Sequence, residues 1–400
     1  MAKKFFLISQ VFYPDEVSTA NLFTGLCSAI ADDNYKVEVW SAQPSYSVLK
    51  RQPKMAFYKG IKIHYLLSTN FRKDSIPGRF LNTITFILSV SLKLLFSGDK
   101  ATVFTHTTQP PIGIIVSLIC KLRRRRFVYI LLDIFPEGLI RLGKISKKNL
   151  LARFWSRMFI VSLKNSENII AIGRDMKAWL KEVYPDSQKK VIYIPLWQDE
   201  DLVFPSDFIE NEFVIKYQLQ NKFVVQYSGN MGLWNDMNSL AKAVQRNSEN
   251  VMFMFVGGGI RREELMAELS GSDRKNALFL PFQPVEKLGS LLTACHAGIV
   301  SLREGLEGMA VPSKIYGIMA SGVPVIAMAP ENSEIAYTVR EEKCGYVIDP
   351  EDIDRLLNAI AELQSDEKLR KQMGQNGRMA FEKKYTTRKI ADRYKTLIKE

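Results

Sequence analysis

Residues 223–232 read Phe223-Val224-Val225-Gln226-Tyr227-Ser228-Gly229-Asn230-Met231-Gly232. An apolar strand runs straight into a turn with glycines at 229 and 232, and a helical pattern begins near Asn235. A β-rich run closed by glycine and followed by a helix is half of a strand–helix–strand unit. The same grammar recurs downstream. Val251–Val256, Ala277–Leu280, Ala297–Ser301, Val325–Ala327 and Gly345–Val347 read as strands with helices between them. Such alternation predicts a parallel sheet covered by helices on both faces.

Working back from residue 223, the pattern has already occurred once. Phe5–Ser9, Val37–Trp40, Ile61–Leu66, Ala101–Thr105, Phe127–Leu132, Asn168–Ile172 and Lys190–Ile194 read as strands, and Asn21–Ala31, Leu150–Leu163 and Asp175–Val183 as helices. The segment Ile194-Pro195-Leu196-Trp197-Gln198-Asp199-Glu200-Asp201 reads as the linker between the two sets. The expectation is an α/β chain of two doubly wound, Rossmann-like domains, 1–195 and 196–385. A last helical run, about 386–400, follows a Tyr-Thr-Thr break and is free to pack back on the first domain. Sheets of this kind bind ligands at the carboxyl ends of their strands, so the site is expected in the cleft between the domains.

Charge divides the chain unevenly. Residues 1–195 hold 30 Lys+Arg against 13 Asp+Glu, whereas residues 196–400 hold 25 against 29. A basic first half implies an anionic partner, either nucleic acid or an anionic membrane surface; a merely solvated basic face is the bland alternative. Ile84–Phe96 is apolar but only about 13 residues long, and Ile112–Cys120 is shorter and ends in Lys121-Leu122-Arg123-Arg124-Arg125-Arg126. Both fall short of the ~20 residues that cross a bilayer, and both read as packed helices, with a half-inserted interfacial helix as the other reading. The opening MAKKFFLISQ reads as a first core strand, and the scattered Cys27, Cys120, Cys295 and Cys344 as reduced buried thiols of a cytoplasmic protein. His64, His106 and His296 are too spread to form a metal cluster; of them His106, at a strand end, faces the expected site.

Three turns of the second half carry the chemistry. In Gly229-Asn230-Met231-Gly232, glycines let backbone amides approach an oxyanion. Gly257-Gly258-Gly259 is a second such turn, without the G-x-G-x-x-G spacing or the acid ~20 residues on that a nicotinamide enzyme needs. Val311-Pro312-Ser313-Lys314 opens a helix that Ser313 is expected to cap, and Lys314 puts a full positive charge at its N-terminal pole. Two phosphate-friendly turns in one domain, without a Walker lysine motif, suggest a nucleotide diphosphate as leaving group.

The ordered set GNMG, VGGG, LPFQPVEKLGSLLTACHAGIVSL, VPSKIYGIMASGVPVIA and CGYVIDPED resembles the GT-B retaining glycosyltransferases of family 4. FYPDEVSTANLFTGLCSAI, AQPSY, GIKIHYL, LLDIFPE and IIAIGRDMKAWL extend the resemblance over nearly the whole chain. D-I-F-P-E combined with P-S-K is most similar to the subgroup that builds O-antigen, capsule and exopolysaccharide, including N-acetylfucosamine transferases. The resemblance implies a UDP- or GDP-sugar donor, no required cofactor or metal, and a polyprenyl-diphosphate-linked sugar as acceptor. It places Asn230, Met231 and Gly232, with Gly229 and Gly257, at the donor diphosphate; Lys314 and the Ser313 amide at the leaving group; and Phe282 and Gln283 near the base. Asp133 and Glu137 fall on the acceptor side. The chain also departs from the pattern. Met309 and Gly317 stand where the family carries two glutamates, and Glu304 or Glu307 is the candidate replacement; Leu233-Trp234-Asn235-Asp236 stands where a basic residue is usual, and the usual first-domain histidine is missing from DIFPE.

The expected activity is transfer of a sugar, with retention, to a lipid-linked acceptor in surface polysaccharide biosynthesis. The enzyme is expected to be cytoplasmic and peripheral on the inner membrane face. A sugar-nucleotide 2-epimerase and a non-catalytic sugar-nucleotide-binding subunit are the alternatives. Nucleic acid is not expected as a partner, since no RNP-type aromatic motif or zinc-finger spacing occurs.

Overall fold

The computed structural model describes residues 3–32, 34–46, 49–72, 75–248, 250–269 and 271–398. It divides into two compact units: Met1–Pro195 with Gly308–Ala310 and Thr387–Glu400, and Leu196–Glu307 with Val311–Thr386. Unit 1 is built on an eight-stranded sheet of β1 (Lys3–Ser9), β2 (Tyr35–Ser41), β3 (Met55–Tyr58), β4 (Ile61–Tyr65), β5 (Val103–His106), β6 (Phe127–Leu131), β7 (Asn168–Ala171) and β8 (Val191–Tyr193). Their order is β3-β4-β2-β1-β5-β6-β7-β8, with every pairing parallel except β3 on β4. The antiparallel β3, Met-Ala-Phe-Tyr at the sheet edge, has no counterpart in the sequence reading; its residues are apolar but alternate between exposed and half-buried. Thr387–Lys395 returns to this unit and packs on the helix Ser18–Ile30, with Tyr394 buried edge-on to Phe5 and Lys395 paired with Asp32 at 2.9 Å.

Unit 2 has six parallel strands, β9 (Phe223–Ser228), β10 (Val251–Val256), β11 (Ala277–Leu280), β12 (Ala297–Ser301), β13 (Val325–Met328) and β14 (Gly345–Ile348), in the order β11-β10-β9-β12-β13-β14. Read as third, second, first, fourth, fifth and sixth, this is the doubly wound order that binds nucleotides. Alternate residues feed two cores. Phe223, Val225, Tyr227, Phe253 and Phe255 pack on one face, Val224, Met254 and Val256 on the other. Both faces are therefore dry, which explains why these strands read as continuous apolar runs. The chain path reverses between β9 and β12, and ligands of doubly wound sheets bind beyond the strand ends at that reversal.

Two sequence expectations change. The apolar Ile84–Phe96 segment is the latter part of a 21-residue helix, Ile76–Phe96. Pro77 and Gly78 look like breakers in sequence, yet proline is tolerated in a helix's first turn, and Ser75 caps it by accepting from Gly78 N at 3.1 Å. The helix is long and apolar enough to cross a membrane by length and composition, and it is not fully packed: 22% of its apolar window is buried. The Arg123–Arg126 run is also not one charged patch. Arg125 turns inward, donating to Ala101 O at 3.2 Å and lying over Phe6, and Arg126 pairs with Glu167. All four cysteines are free and buried, and burial pushes the thiols of Cys120, Cys295 and Cys344 up to about 12.

Candidate active site

The end of β9 and the end of β10 form one interlocked structure. Gly229 N donates to Val256 O at 2.8 Å, Met231 N to Gly258 O at 2.7 Å, and Gly257 N to Leu280 O at 2.9 Å. Gly229, Gly257 and Gly259 have φ of 121°, 123° and 133°, a region closed to other residues. A Cβ on Gly257 would stand 2.3 Å from Gly229 O, and one on Gly259 would stand 2.4 Å from Met231 O. Glycine is demanded here by close approach as well as by torsion. Among the described residues, the amides of Asn230 and Gly258 find no protein acceptor and remain available to an anion.

Lys314 reaches this turn from the loop that follows β12. Its Nζ lies 3.3 Å from Asn230 O and 5.0 Å from the Tyr227 ring centre. Tyr227 OH holds the same carbonyl at 3.0 Å. Half-buried Lys314 meets no carboxylate among the described residues, and desolvation lowers its pKa to about 8. Lys314 is the first residue of the helix Lys314–Ser321, with Ser313 at the N-cap. Here the capping expectation is corrected: Ser313 has helical backbone angles and its hydroxyl makes no cap bond, while its carbonyl accepts from Tyr316 N at 3.2 Å. A cationic side chain and a bare helix pole thus meet a glycine turn at the reversal of strand order.

The remaining sequence candidates of unit 2 divide. Asn230 is exposed. Met231, expected at the donor, has a fully buried side chain in the core, while its carbonyl accepts from Arg261 N at 3.0 Å; it shapes the turn and presents no group to a ligand. Gly232 N is held by Asn235 Oδ1 at 3.1 Å, and Asn235 is tied to Ser301 O at 2.9 Å. Those bonds consume Asn235 in a turn, so the helix expected near it starts only at Asn238. Phe282 is 63% exposed, with its ring edge against Gly257 and Gly258, a bare aromatic face of the kind a flat heterocycle stacks on. Gln283 is half-buried, and its Nε2 donates to Pro281 O at 2.9 Å. Glu304, just before Gly305, is exposed, whereas Glu307, between Gly305 and Gly308, is half-buried with Oε2 shielded from water. Tyr227 and Asn235 hold the turn in shape, and no spacing motif marks either of them.

In unit 1, Asp133 follows β6. Its amide and that of Leu132 both donate to Thr107 Oγ1, at 3.1 and 2.9 Å, and it bridges to Ala310. The half-buried carboxyl is pushed up to about 6 by burial. Glu137 opens the short helix Glu137–Arg141 and pairs loosely with Arg141 at 3.9 Å. Asp175 fixes the segment Gly308–Ala310 by accepting from Gly308 N at 2.9 Å, and Ile134 N donates to Met309 O at 2.8 Å. His106 is not presented at the site as its position at a strand end suggested. It is 2% exposed, stacked on Phe23, bonded through Nε2 to Ser9 Oγ at 2.8 Å, and held neutral by burial that lowers its pKa to about 3.

Residues 209–380 match the family described as glycosyl transferases group 1. The Pseudomonas aeruginosa protein "Probable glycosyltransferase WbjE" is 27% identical over 296 residues, spanning 73% of this chain and 74% of that protein. The Escherichia coli (strain K12) protein "Putative colanic acid biosynthesis glycosyl transferase WcaI" is 28% identical over 282 residues, 62% of this chain and 64% of its own length. Sucrose-phosphate synthase from Thermosynechococcus elongatus superposes with a TM-score of 0.77 at 17% identity, over 99% of this chain and 98% of its own. Anabaena Alr3699/HepE in complex with UDP and glucose superposes with a TM-score of 0.72 at 15% identity, over 99% of both chains. At these identities the likeness is one of fold: two α/β domains with parallel sheets, the GT-B architecture.

Proposed function

We infer that this chain, a glycosyltransferase whose second unit carries a glycosyl transferases group 1 domain, moves a sugar from a nucleoside diphosphate to a lipid-linked saccharide with retention of configuration. The observation that carries this reading is the meeting of Lys314 Nζ, the bare pole of its helix and the Gly229–Gly232 turn at the strand-order reversal of unit 2. In the reaction the bond from the anomeric carbon to the diphosphate oxygen breaks, a bond to the acceptor oxygen forms, and the acceptor hydroxyl loses a proton. Charge accumulates on the leaving diphosphate, where Lys314, the Ser313 pole and the free amides of Asn230 and Gly258 act as electrostatic stabilisers. Gly229, Gly232 and Gly257 keep the turn open to the diphosphate, Phe282 and Gln283 serve the base, and Glu307 serves the sugar or ribose.

Asp133 and Glu137 are assigned to the acceptor. A carboxyl pushed up to about 6 is still ionised at neutral pH and is a better proton acceptor than an ordinary one. The biosynthetic setting of the WcaI-like relative, together with D-I-F-P-E and P-S-K, supports surface polysaccharide as product and the O-antigen and capsule subgroup, N-acetylfucosamine transfer included, as the narrower assignment. The acceptor is then a polyprenyl-diphosphate-linked sugar met at the inner face of an anionic membrane, by an enzyme that stays in the cytoplasm. Incubation with a panel of nucleotide sugars and a lipid-linked acceptor tests the reading. Transfer of a sugar supports it; epimerised donor, or donor binding without turnover on any acceptor, removes it.

Donor binding should need no metal, because a fixed ammonium and amides stand in for the ion. Calorimetry with UDP and GDP is expected to give the same affinity with and without EDTA, and loss of binding in the chelator would refute a metal-free site. The same titrations should depend on pH in one direction. A diphosphate raises the Lys314 pKa above its free value of about 8, so the protonated form binds better. Affinity is expected to weaken above about pH 8, with proton uptake on binding in that range. Affinity that rises between pH 8 and 9 would exclude Lys314 as the diphosphate's partner.

A further inference from the structure

Three helices of unit 1, Ile76–Phe96, Pro110–Leu122 and Leu150–Asn165, lie side by side, the middle one packed against both neighbours. All three link strands in the same direction across the sheet, so right-handed crossovers put them on one face. None of the three contains an Asp or Glu, while together they carry Arg79, Lys93, Lys121, Arg153, Arg157 and Lys164.

The longest helix carries two ladders, each with a step of four residues. Gly78, Asn82, Phe86, Val90 and Leu94 face the protein. Ile76, Phe80, Ile84, Leu88, Leu92 and Phe96 face outward, with Leu88 58%, Leu92 59% and Phe96 84% exposed. The apolar surface continues onto Leu118 and Leu122 of the middle helix and Leu150, Leu151 and Phe154 of the third. Exposed Arg123 and Arg124 follow Leu122 directly. An exposed apolar face marks a docking surface, and helices that carry bases but no acids select an anionic partner.

We propose that this helical face docks into the headgroup layer of an anionic bilayer, with Ile76–Phe96 lying in the membrane plane. The proposal deepens the reading above, in which the acceptor is carried on a lipid. The helix does not leave the protein to cross the bilayer, because its inner ladder is fastened. Asn82 Oδ1 accepts from Thr69 Oγ1 at 2.8 Å and Phe71 N at 3.0 Å, Asn82 Nδ2 donates to Phe71 O at 2.9 Å, and Thr85 Oγ1 accepts from Thr69 N at 3.0 Å. Spanning would break these bonds and strip Phe86, Val90 and Leu94 from the core. An apolar stripe flanked by basic residues and tied down on its other side is the arrangement of an interfacial helix.

Vesicle co-sedimentation of the full chain, with phosphatidylglycerol–phosphatidylcholine vesicles against phosphatidylcholine alone, tests this. Binding is expected only with the anionic vesicles and should fall as salt rises. Leu88→Glu with Leu92→Glu should lower partitioning at least about tenfold, and Arg123→Gln with Arg124→Gln about fivefold for each charge. Met379→Gln, an exposed apolar position in unit 2, should change nothing. Calorimetry with UDP on every variant separates a failed membrane face from a failed donor site or a misfolded protein. Tryptophans introduced one at a time at positions 80, 84, 88 and 92 should each add fluorescence, above that of the five native tryptophans, that lipids brominated near the headgroup quench. Quenching at 88 by lipids brominated at the midplane would mean a spanning helix and overturn the proposal. So would equal binding to neutral vesicles, no binding to either, or a dimer in buffer that the Leu88→Glu, Leu92→Glu variant dissolves.

Discussion

Lys314→Ala should lower kcat about a hundred- to a thousandfold with donor and acceptor saturating, a loss of ~3–4 kcal/mol of transition-state stabilisation. The dissociation constant for UDP should change much less. Negative charge on the diphosphate grows as the glycosidic bond breaks, so an ammonium beside it acts more strongly on the transition state than on the bound donor. The fold should survive the change, because the polar contacts of Lys314 among the described residues are Asn230 O and the Tyr227 ring, and its depressed pKa marks the desolvated charge as a cost to the free protein. Single-turnover rates beside calorimetric affinities give the comparison. A variant with wild-type kcat, or one whose entire loss lies in donor affinity, would move Lys314 out of the chemical step.

Gly257→Ala should unfold unit 2 locally and abolish nucleotide binding. The new methyl carbon would sit 2.3 Å from Gly229 O, and Gly229 is itself tied through its amide to Val256 O at 2.8 Å. Neither chain can withdraw without breaking the other's turn. Torsional strain at φ 123° adds to the overlap, and together they should cost on the order of 3 kcal/mol. For a domain of this size that lowers Tm by roughly 10 °C. Gly143→Ala is the control: it also has positive φ, at 67°, but opens onto empty space, and should cost about 1 kcal/mol with no effect on nucleotide binding. If the two variants melt together, the interlocked turns are not what holds the site.

Much of the fold was legible because its strands are buried on both faces. β9, β10, β11 and β12 fall on the residues the apolar runs predict; β9 and β10, covered on both faces, stop where Gly229 and Gly257 let the chain turn. Legibility failed where one side of an element is wet or unpaired. β3, Met-Ala-Phe-Tyr, alternates between exposed and half-buried residues at the sheet edge and is not read as a strand from the sequence. Ile76–Phe96 was read too short because Pro77-Gly78 resembles a loop, whereas only the Ser75 cap reveals a helix start. The arginine run shows the same limit: four identical letters cannot disclose that Arg125 is folded inward.

The sequence by itself determined the alternation of strands and helices, the glycine turns at strand ends, and the arrival of Pro312-Ser313-Lys314 at a helix start, all of which depend on residues close together in the chain. Tertiary structure alone decided which groups face a ligand. Met231 lies inside the proposed donor motif yet is consumed by the core, His106 stands at a strand end yet is sealed under Phe23, and the Ser313 hydroxyl occupies a cap position without capping. Conversely, Lys314 meets Asn230 across 84 positions of sequence, and only the parallel pairing of β9 with β12 brings Nζ within 3.3 Å of the Asn230 carbonyl. Local patterning fixes where the backbone turns, because torsion and burial act residue by residue. Which side chains are left facing outward depends on what the rest of the chain packs against them, and that is a property of the fold.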